Sequence, residues 1–398
     1  MNLFLMGLNH HTAPVNVRER LAVTPSHLPD LLRALRAAPG VGEVGVVSTC
    51  NRFEMYAVVD DASARPTAIA ETLAEVRGLD SCECACHLTT RVGADAARHL
   101  FRVAAGLDSL LVGEHQILGQ VKDAFQAAQE AGTIGALLSA LFRQALTAGK
   151  RARSETEIGQ GARSLGQVAV ALARETLGDL TDRTALLVGV GKINKLAGRA
   201  LVESGLRWLL VANRTFERAV EVAQSLGGRA VHFDALAQGL ADSDLVIVAT
   251  GAPHIVLHES DLRAAMMRRV DRPLVVIDLA VPRNVDPAAR ALANVRLCDI
   301  DDLSAVVAAH HPVAAQALAA AEEIVAQETR AFLTWQRERE VAPRMVALRA
   351  QAEAIRQAEV TKTLERLDLA PEQRRAIDAL ATALTNKLLY AAAHAIKS

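Results

Sequence analysis

Short apolar runs alternate with stretches of helical spacing through the middle third of the chain. Helical patterns fill intervals such as 194–203 and 215–226, and the apolar runs lie at 185–190, 208–212, 245–250 and 274–279. Strands that are apolar on both faces are typical of a parallel sheet with helices packed on each side. We therefore predict a Rossmann-like, doubly wound α/β domain over residues 160–303.

The first third of the chain mixes strand and helix patterns without that regular alternation. Strands are predicted at 3–8, 43–48 and 53–59, and helices at 25–38, 94–105, 119–130 and 133–153. The two strands 43–48 and 53–59 flank a short polar turn. We predict an α+β domain with a helical annex over residues 1–159.

The last third is almost entirely helical. Residues 314–339 carry one broad apolar face, and Leu380, Leu384 and Leu388 form a stripe at i, i+4 spacing. Pro343 and Pro371 each fit the first turn of a further helix, where a missing N–H is harmless. Pro312 marks either the start of the long helix or a kink in it. We predict an all-α dimerisation domain over 304–398, and hence a homodimer.

Composition narrows the class of function. The chain has 398 residues, 51% of them hydrophobic, which is enough for two or three domains. Its 44 basic and 45 acidic residues exclude a strongly basic nucleic-acid coat. The 8 Phe, 2 Trp and 2 Tyr residues disfavour an aromatic platform for single-stranded nucleic acid. This balance, taken alone, favours an enzyme that acts on small molecules.

The cysteines and the apolar runs bear on location. Five cysteines in a chain of 398 residues do not form a disulfide scaffold. The first residues lack the basic start of a signal peptide. The apolar runs fall far short of the roughly 20 residues of a membrane span. A cytoplasmic protein without a membrane partner is predicted. The cluster Cys82, Cys84, Cys86 and His87 is spaced more tightly than a structural zinc site, so we predict no metal there.

A glycine-rich turn follows the first apolar run of the middle third. Glycines at this place allow a tight turn and let the backbone approach a pyrophosphate at a helix N-terminus. The candidate cofactor residues of this turn are Gly189, Val190, Gly191, Lys192, Ile193 and Asn194. Asn194 stands where a third glycine is usual, so a glycine turn in a domain without a cofactor is the alternative.

The next apolar run ends in Asn213, Arg214 and Thr215, with no acidic residue to bind a ribose 2′-hydroxyl. Arg214 can instead pair with a 2′-phosphate, which favours NADPH over NADH. Residues 250–253 would pass beside the cofactor.

Cys50 occupies the polar turn between the two strands of the first domain. Arg52, two residues later, supplies a positive charge that can lower the pKa of the thiol and stabilise a thiolate. A thiol that only packs against its neighbours is an equally good interpretation of Cys50 alone. A nicotinamide domain in the same chain favours the nucleophile, because cysteine and hydride donor together can reduce an acyl group through a thioester.

Several strings together resemble the glutamyl-tRNA reductase family. They are GLNHHTAPV at 7–15, STCNR at 48–52, HLFRVAAGLDSLLVGEHQILGQVK at 99–122, GKRARSETEIG at 149–159, VIDLAVPRNVDP at 276–287 and DIDDL at 299–303. The 99–122 string is the most specific of them, and the resemblance covers nearly the whole chain.

The resemblance implies NADPH-dependent reduction of glutamyl-tRNA to glutamate-1-semialdehyde through a thioester on Cys50, the first step of five-carbon tetrapyrrole biosynthesis. It implies a pocket in which Arg52 pairs with the glutamyl carboxylate and Glu114 with its ammonium group. The pocket residues implied are Thr49, Cys50, Asn51, Arg52, Ser109, Glu114, His115, Gln116 and Gln120. His99 is implied in a supporting role, in positioning or proton transfer, and the semialdehyde aminotransferase is implied as a partner.

The resemblance also changes what the charge balance means. A neutral chain can still bind one folded tRNA through local patches and shape. The candidate patches are Lys150, Arg151, Arg153 and Arg163, and Arg337, Arg339, Arg344 and Arg349. Lys192 departs from the acidic residue usual after the second glycine of the family. Since hydride transfer needs the two reacting carbons within about 3–3.5 Å, we expect the first two domains to close on each other.

Two alternatives to this function remain open. One is an NADP dehydrogenase of a free small molecule, similar to shikimate dehydrogenase, and the other is a non-catalytic NADP-binding dimeric sensor. Neither explains Cys50 and its turn.

Overall fold

A computed structural model describes residues 2–59, 66–78, 86–114, 116–159, 165–269, 271–303, 315–367 and 370–397. The chain divides into two compact units, Met1–Thr329 and Arg330–Ser398. The first unit contains an antiparallel and a parallel sheet, and the second is helical. The predicted fold classes are confirmed.

The antiparallel sheet of the first unit has the strand order β2-β3-β1-β4. Its strands are Asn2–Asn9 (β1), Val41–Ser48 (β2), Arg52–Val59 (β3) and Thr89–Val92 (β4). All eight residues of β3 are buried, because the strand is central and packed on both faces. The sequence analysis did not predict β4. The surrounding helices are Val15–Leu21, Leu28–Ala37, Pro66–Arg77, Gly93–Ala104, Gln116–Glu130 and Ala136–Glu155.

Two of these helices begin later than predicted, one for a local reason and one because of a distant side chain. Thr24–His27 forms a turn, closed by the His27 N–H on the Thr24 carbonyl at 3.0 Å, so the helix begins at Leu28. The helix predicted from residue 133 begins at Ala136, where the Glu43 carboxylate accepts the N–H groups of Leu137 and Leu138 at 3.2 and 2.7 Å. A distant side chain therefore sets the second boundary.

The parallel sheet has the strand order β10-β9-β8-β5-β6-β7. Its strands are Thr184–Val188 (β5), Trp208–Ala212 (β6), Arg229–Val231 (β7), Leu245–Val248 (β8), Leu274–Asp278 (β9) and Val295–Cys298 (β10). The strand order reverses at β5, and ligands of such sheets bind at the carboxyl ends of the strands near this reversal. The short edge strands β7 and β10 were not predicted, since neither has a long apolar run. The helices are Leu165–Leu177, Lys192–Glu203, Phe216–Ser225, Leu236–Asp242 and Glu259–Met267.

The C-terminal part contains the helices Ala315–Arg366 and Pro371–Lys397. Pro371 begins its helix, as predicted. The prediction for Pro343 is wrong, because this proline lies inside the first helix. Strong helix formers on both sides outweigh its cost of roughly 3 kcal/mol. Pro312 lies outside the described residues. Within the described part of the chain, none of the helices is long and apolar enough to cross a membrane.

The second unit exposes a set of large apolar side chains. Leu380, Leu384 and Leu388 are 62%, 54% and 70% exposed, so the predicted stripe is present and lies on the surface of the unit. Val346 and Ile355 are also exposed. Such a surface favours association with another chain.

Candidate active site

A cleft of about 930 Å³ opens at the carboxyl ends of β5, β6, β8 and β9. Of the predicted cofactor residues, Gly189, Val190, Gly191, Lys192, Ile193, Asn213, Arg214 and Thr215 line it. Residues 250–253 line it too, as predicted. The structure therefore brings together the turn after β5 and the residues that follow β6.

The glycine turn requires glycine at its first position and presents a helix N-terminus to the cleft. Gly189 has a φ of +99°, and a Cβ added to it would lie 2.5 Å from the carbonyl oxygen of Ala249. Gly191 precedes the helix Lys192–Glu203 and no side chain caps that end. Free N–H groups at a helix N-terminus attract a phosphate. This cradle fits the pyrophosphate of a dinucleotide cofactor.

Asn194 lies behind the turn rather than in the cleft, in contrast to the prediction that it contacts the cofactor. It is fully buried, and its amide donates to the carbonyls of Val188 and Gly189 at 2.7 and 2.9 Å. Asn194 therefore fixes the shape of the turn, and the absence of a third glycine does not disrupt it.

Arg218 also lines the cleft, and the sequence analysis missed it. It lies in the helix Phe216–Ser225, one turn after Arg214. Its place in the first turn of the helix that follows Arg214 and the N-cap Thr215 is the signal that could have found it. Together the two arginines give this end of the cleft a positive charge.

Cys50 lies where the cleft meets a second, narrow pocket. Cys50, Gln116 and Gln120 line both. The narrow pocket, of about 20 Å³, is lined by Thr49, Cys50, Asn51, Arg52, Ser109, Glu114, Gln116 and Gln120, together with Ile117 and Ile193. The structure thus brings together the predicted substrate residues, except His115, which lies outside the described residues.

The Cys50 turn is held by its own backbone and by one arginine. The Thr49 N–H donates to the Arg52 carbonyl at 2.8 Å, and the Asn51 N–H to Thr49 Oγ1 at 3.1 Å. Arg18 donates from Nη1 to the Cys50 carbonyl at 2.6 Å and to Asn51 Oδ1 at 3.2 Å. Nothing in the local sequence pattern indicated Arg18, which lies 32 residues before Cys50.

The prediction of a lowered thiol pKa is wrong. Burial of the Cys50 sulfur beneath a partly exposed residue and the nearby charge of Glu114 raise its pKa to about 11, against the opposing effects of Arg18 and Arg52. Arg52 by itself lowers the pKa of the thiol, as predicted, but two neighbouring carboxylates compensate its charge. Its guanidinium, 1% exposed, contacts Glu54 Oε1 at 2.7 Å and Asp108 Oδ2 at 2.9 Å.

A buried network extends from Arg52 away from the thiol. Glu54 accepts from Tyr56 at 2.7 Å and lies 2.8 Å from His99 Nε2. Burial favours the neutral form of Glu54, but the charges of Arg52 and His99 and two hydrogen bonds lower its pKa to about 2. His99 lines neither pocket, so it reaches the site through Glu54 and Arg52.

Glu54 and Tyr56 are absent from the predicted site residues, although β3 carries a signal for them. Arg52, Glu54 and Tyr56 alternate in an otherwise apolar strand, which places the three on one face. A row of polar side chains on a buried strand face indicates a network, because each must find a partner there.

Glu114 lies in the narrow pocket with Cys50. Burial raises its pKa, and Arg153, Arg52 and Lys192 oppose this shift. Arg153 also donates to the Glu114 carbonyl at 2.9 Å. A cation bound beside Glu114 would stabilise the charged form of its carboxyl group.

One arginine of the predicted tRNA patches is already paired with carboxylates. Arg151 pairs with Glu155 at 2.8 Å and Glu328 at 2.6 Å, whereas Arg163 and the side chain of Arg344 lie outside the described part of the structure.

The described residues of the cysteine cluster are Cys86 and His87. Cys86 is exposed, and His87 donates from Nδ1 to the Thr12 carbonyl at 2.9 Å. Cys82 and Cys84 lie outside the described residues, so a metal there is not tested.

Comparison with known proteins matches three family models to successive parts of the chain. Residues 6–156 match the glutamyl-tRNAGlu reductase N-terminal domain, and 171–306 match shikimate / quinate 5-dehydrogenase. Residues 320–398 match the glutamyl-tRNAGlu reductase dimerisation domain. The second match supports a nicotinamide cofactor, and the third supports a homodimer.

Individual relatives match over nearly the full chain. A glutamyl-tRNA reductase of Citrifermentans bemidjiense is 40% identical over 391 residues, covering 98% of this chain and 90% of the relative. One of Moorella thermoacetica is 43% identical over 386 residues, covering 96% and 88%. The solved glutamyl-tRNA reductase of Methanopyrus kandleri is 35% identical, with 99% and 98% of the two chains covered and a TM-score of 0.44.

Proposed function

Because this chain belongs to the glutamyl-tRNA reductase family, we propose that it reduces glutamyl-tRNA(Glu) to glutamate-1-semialdehyde with NADPH. This reaction is the first step of the five-carbon route to tetrapyrroles. The observation that carries the proposal is the position of Cys50, whose side chain lines both the narrow pocket and the cleft. One thiol can then accept the acyl group on one side and present it to a hydride donor on the other.

In the first half-reaction, Cys50 Sγ attacks the α-carbonyl carbon of the glutamyl ester. The C–S bond forms, the bond to the ribose oxygen breaks, and the thiol proton passes to that oxygen as tRNA leaves. Cys50 with a pKa of about 11 is a neutral thiol at pH 7. Burial is the larger cause of this raised pKa, and the charge of Glu114 is the second. The glutamyl ammonium group, paired with Glu114, would cancel the second cause. Substrate binding would thereby activate the nucleophile.

In the second half-reaction, the thioester is reduced to the aldehyde. Gly189, Gly191 and the start of the helix Lys192–Glu203 would hold the cofactor pyrophosphate. NADPH, when bound, supplies the hydride that the thioester carbon accepts. The C–S bond then breaks, Cys50 sulfur takes up a proton, and the free thiol is restored.

The remaining pocket residues would orient the glutamyl group. Ser109, Gln116 and Gln120 offer neutral hydrogen bonds, and Thr49 and Asn51 shape the turn beside the thiol. Since Glu54 and Asp108 already neutralise Arg52, its main role would be to hold the turn in place. His99 would support the site from behind, through Glu54.

The preference for NADPH is assigned to Arg214, with Arg218 beside it in the cleft. Replacing Arg214 with alanine should raise the KM for NADPH about 10- to 100-fold, as expected for loss of a charge-assisted contact to the 2′-phosphate. The KM for NADH should change little. Arg199→Ala, an exposed arginine of the helix Lys192–Glu203, is the matched control. Equal effects of Arg214→Ala on both cofactors would contradict the assignment.

Incubation with glutamyl-tRNA, with and without NADPH, tests the function as a whole. We expect semialdehyde with NADPH and slow release of tRNA and free glutamate without it. The two alternatives, a dehydrogenase of a free small molecule and a non-catalytic sensor, require that glutamyl-tRNA is left intact under both conditions. Handover to the aminotransferase and a cytoplasmic location remain predictions.

A further inference from the structure

Arg18 is a buried arginine that the mechanism above does not use. It lies in the helix Val15–Leu21 and is 2% exposed. Its Nη1 donates to the Cys50 carbonyl at 2.6 Å and its Nε to the Ala13 carbonyl at 3.2 Å. Its Nη2 pairs with the carboxylate of Asp301, which follows the last strand of the parallel sheet. One guanidinium therefore joins the nucleophile turn to the half of the unit that carries the cofactor cleft.

Further contacts join the same helix to the same half of the unit. The Val15 N–H donates to Asp301 Oδ2 at 2.8 Å. Arg283 forms a two-pronged pair with Glu19, from Nη2 to Oε1 at 2.6 Å and from Nε to Oε2 at 3.0 Å. Val15 also packs in the same apolar cluster as the parallel sheet. The helix Val15–Leu21 is thus fixed at two successive charged residues, Arg18 and Glu19.

Arg18 depends on Asp301 to compensate its buried charge. A buried guanidinium is stable only when its donors are matched, since its desolvation is costly. Asp301 is the only carboxylate that pairs with Arg18 among the described residues. Loss of Asp301 would leave a buried charge beside the Cys50 carbonyl, and the turn would no longer be held against the cleft.

We propose that Arg18 is a positioning residue that holds the Cys50 thiol at the mouth of the cofactor cleft by connecting the Cys50 carbonyl to Asp301. This inference rests on the proposed function. The connection is needed for hydride transfer, which requires the thioester carbon and the nicotinamide to meet. Thioester formation depends on the Cys50 turn itself, which its own hydrogen bonds and the Arg18 contact to the Cys50 carbonyl would still hold without Asp301.

Replacing Asp301 with alanine in the full-length chain tests the connection. We expect tRNA release in the absence of NADPH to stay within about twofold, while semialdehyde formation falls about 10- to 100-fold, as for a small misplacement of reacting groups. Asp302→Ala is the matched control, because Asp302 contacts Arg290 and the Asp299 N–H instead of Arg18. Both half-reactions should proceed normally in the control.

A second measurement is independent of tRNA. NADPH should protect Cys50 from iodoacetamide in the parent protein, because both occupy the cleft, whereas the exposed Cys86 should react equally with and without NADPH. In Asp301→Ala the protection should be lost, although the fluorescence Kd for NADPH stays within about threefold. Arg18→Lys is a milder variant that keeps the charge, but a lysine cannot contact the Ala13 carbonyl, the Cys50 carbonyl and Asp301 at once, so protection should weaken in the same direction.

The outcomes separate the two proposals. Absence of semialdehyde from the parent protein would overturn the proposed function, while the protection assay would still decide the role of Arg18. Full protection in Asp301→Ala, or an equal fall in both half-reactions, would overturn the connection. If Asp301→Ala fails to fold, full protection in Arg18→Lys would overturn it instead.

Discussion

Cys50→Ser is expected to lower semialdehyde formation at least about a thousandfold, the scale seen when an enzyme loses its nucleophile. A serine hydroxyl is a weaker nucleophile than a thiol. Any acyl group that it did accept would be an oxygen ester, which takes a hydride far less readily than a thioester. Both half-reactions should therefore fail, and single-turnover assays with labelled glutamyl-tRNA would measure each.

The control for this variant is Cys86→Ser, which removes an exposed thiol outside both pockets. We expect it to retain full activity. The Kd of Cys50→Ser for NADPH should match that of the parent protein, because the glycine turn and Arg214 are intact. Substantial reduction by Cys50→Ser would exclude the thioester mechanism.

Glu54→Ala is expected to lower the free energy of unfolding by about 3–5 kcal/mol, the cost of leaving one partner of a buried ion pair behind. The variant removes one of the two carboxylates that face Arg52. It also leaves the Tyr56 hydroxyl and His99 Nε2 without their acceptor. Urea unfolding monitored by fluorescence would measure the loss. The slope of the unfolding free energy against urea concentration should match that of the parent protein if both unfold in the same way.

The same variant carries a pH prediction. Glu54 has its pKa lowered from 4.5 to about 2 in the folded protein. Its contribution to stability is therefore complete above about pH 4.5 and is lost as the pH falls toward 2. The stability difference between the parent protein and Glu54→Ala should shrink over this interval. A difference that stays constant with pH would show that the carboxylate charge does not stabilise the network.

Two further variants calibrate the size of the effect. Tyr56→Phe removes one hydrogen bond to Glu54 and should cost about 1–3 kcal/mol. Glu221→Ala removes an exposed glutamate of the helix Phe216–Ser225 and should stay within about 0.5 kcal/mol. A loss for Glu54→Ala no larger than that for Glu221→Ala would be incompatible with a buried ion-pair network.

The parallel sheet could be predicted from the sequence because its central strands are apolar on both faces. Trp208–Ala212 has the bounds predicted for it, β5 begins one residue earlier than predicted, and β5, β8 and β9 all end before their predicted carboxyl ends. These strands end where the chain turns into the cleft. Apolar residues such as Val190 continue beyond that point and extend the apolar run past the end of the strand. Apolar composition marks a strand but does not mark the point at which its ladder ends.

Pairings between distant residues could not be predicted in this way. Arg18 reaches Asp301 across 283 positions, and no periodic pattern relates the two. Cys50 shows the same limit, since the adjacent Arg52 suggested a low pKa, whereas burial and Glu114 raise it and Asp108, 56 positions from Arg52, helps to compensate that arginine. Sequence spacing therefore indicated the candidate nucleophile, while its ionisation depends on residues that the fold brings to it from distant positions.

The narrow pocket and the cleft share lining residues around Cys50, and this affects how much substrate would be lost to hydrolysis. Cys50, Gln116 and Gln120 face both spaces, so in the proposed mechanism water could reach a thioester on Cys50 through the cleft. A bound dinucleotide would close that route as well as reduce the acyl group. Hydrolysis and reduction then compete through occupancy of one space, and the fraction of charged tRNA that is wasted should rise as the cellular supply of reduced dinucleotide falls.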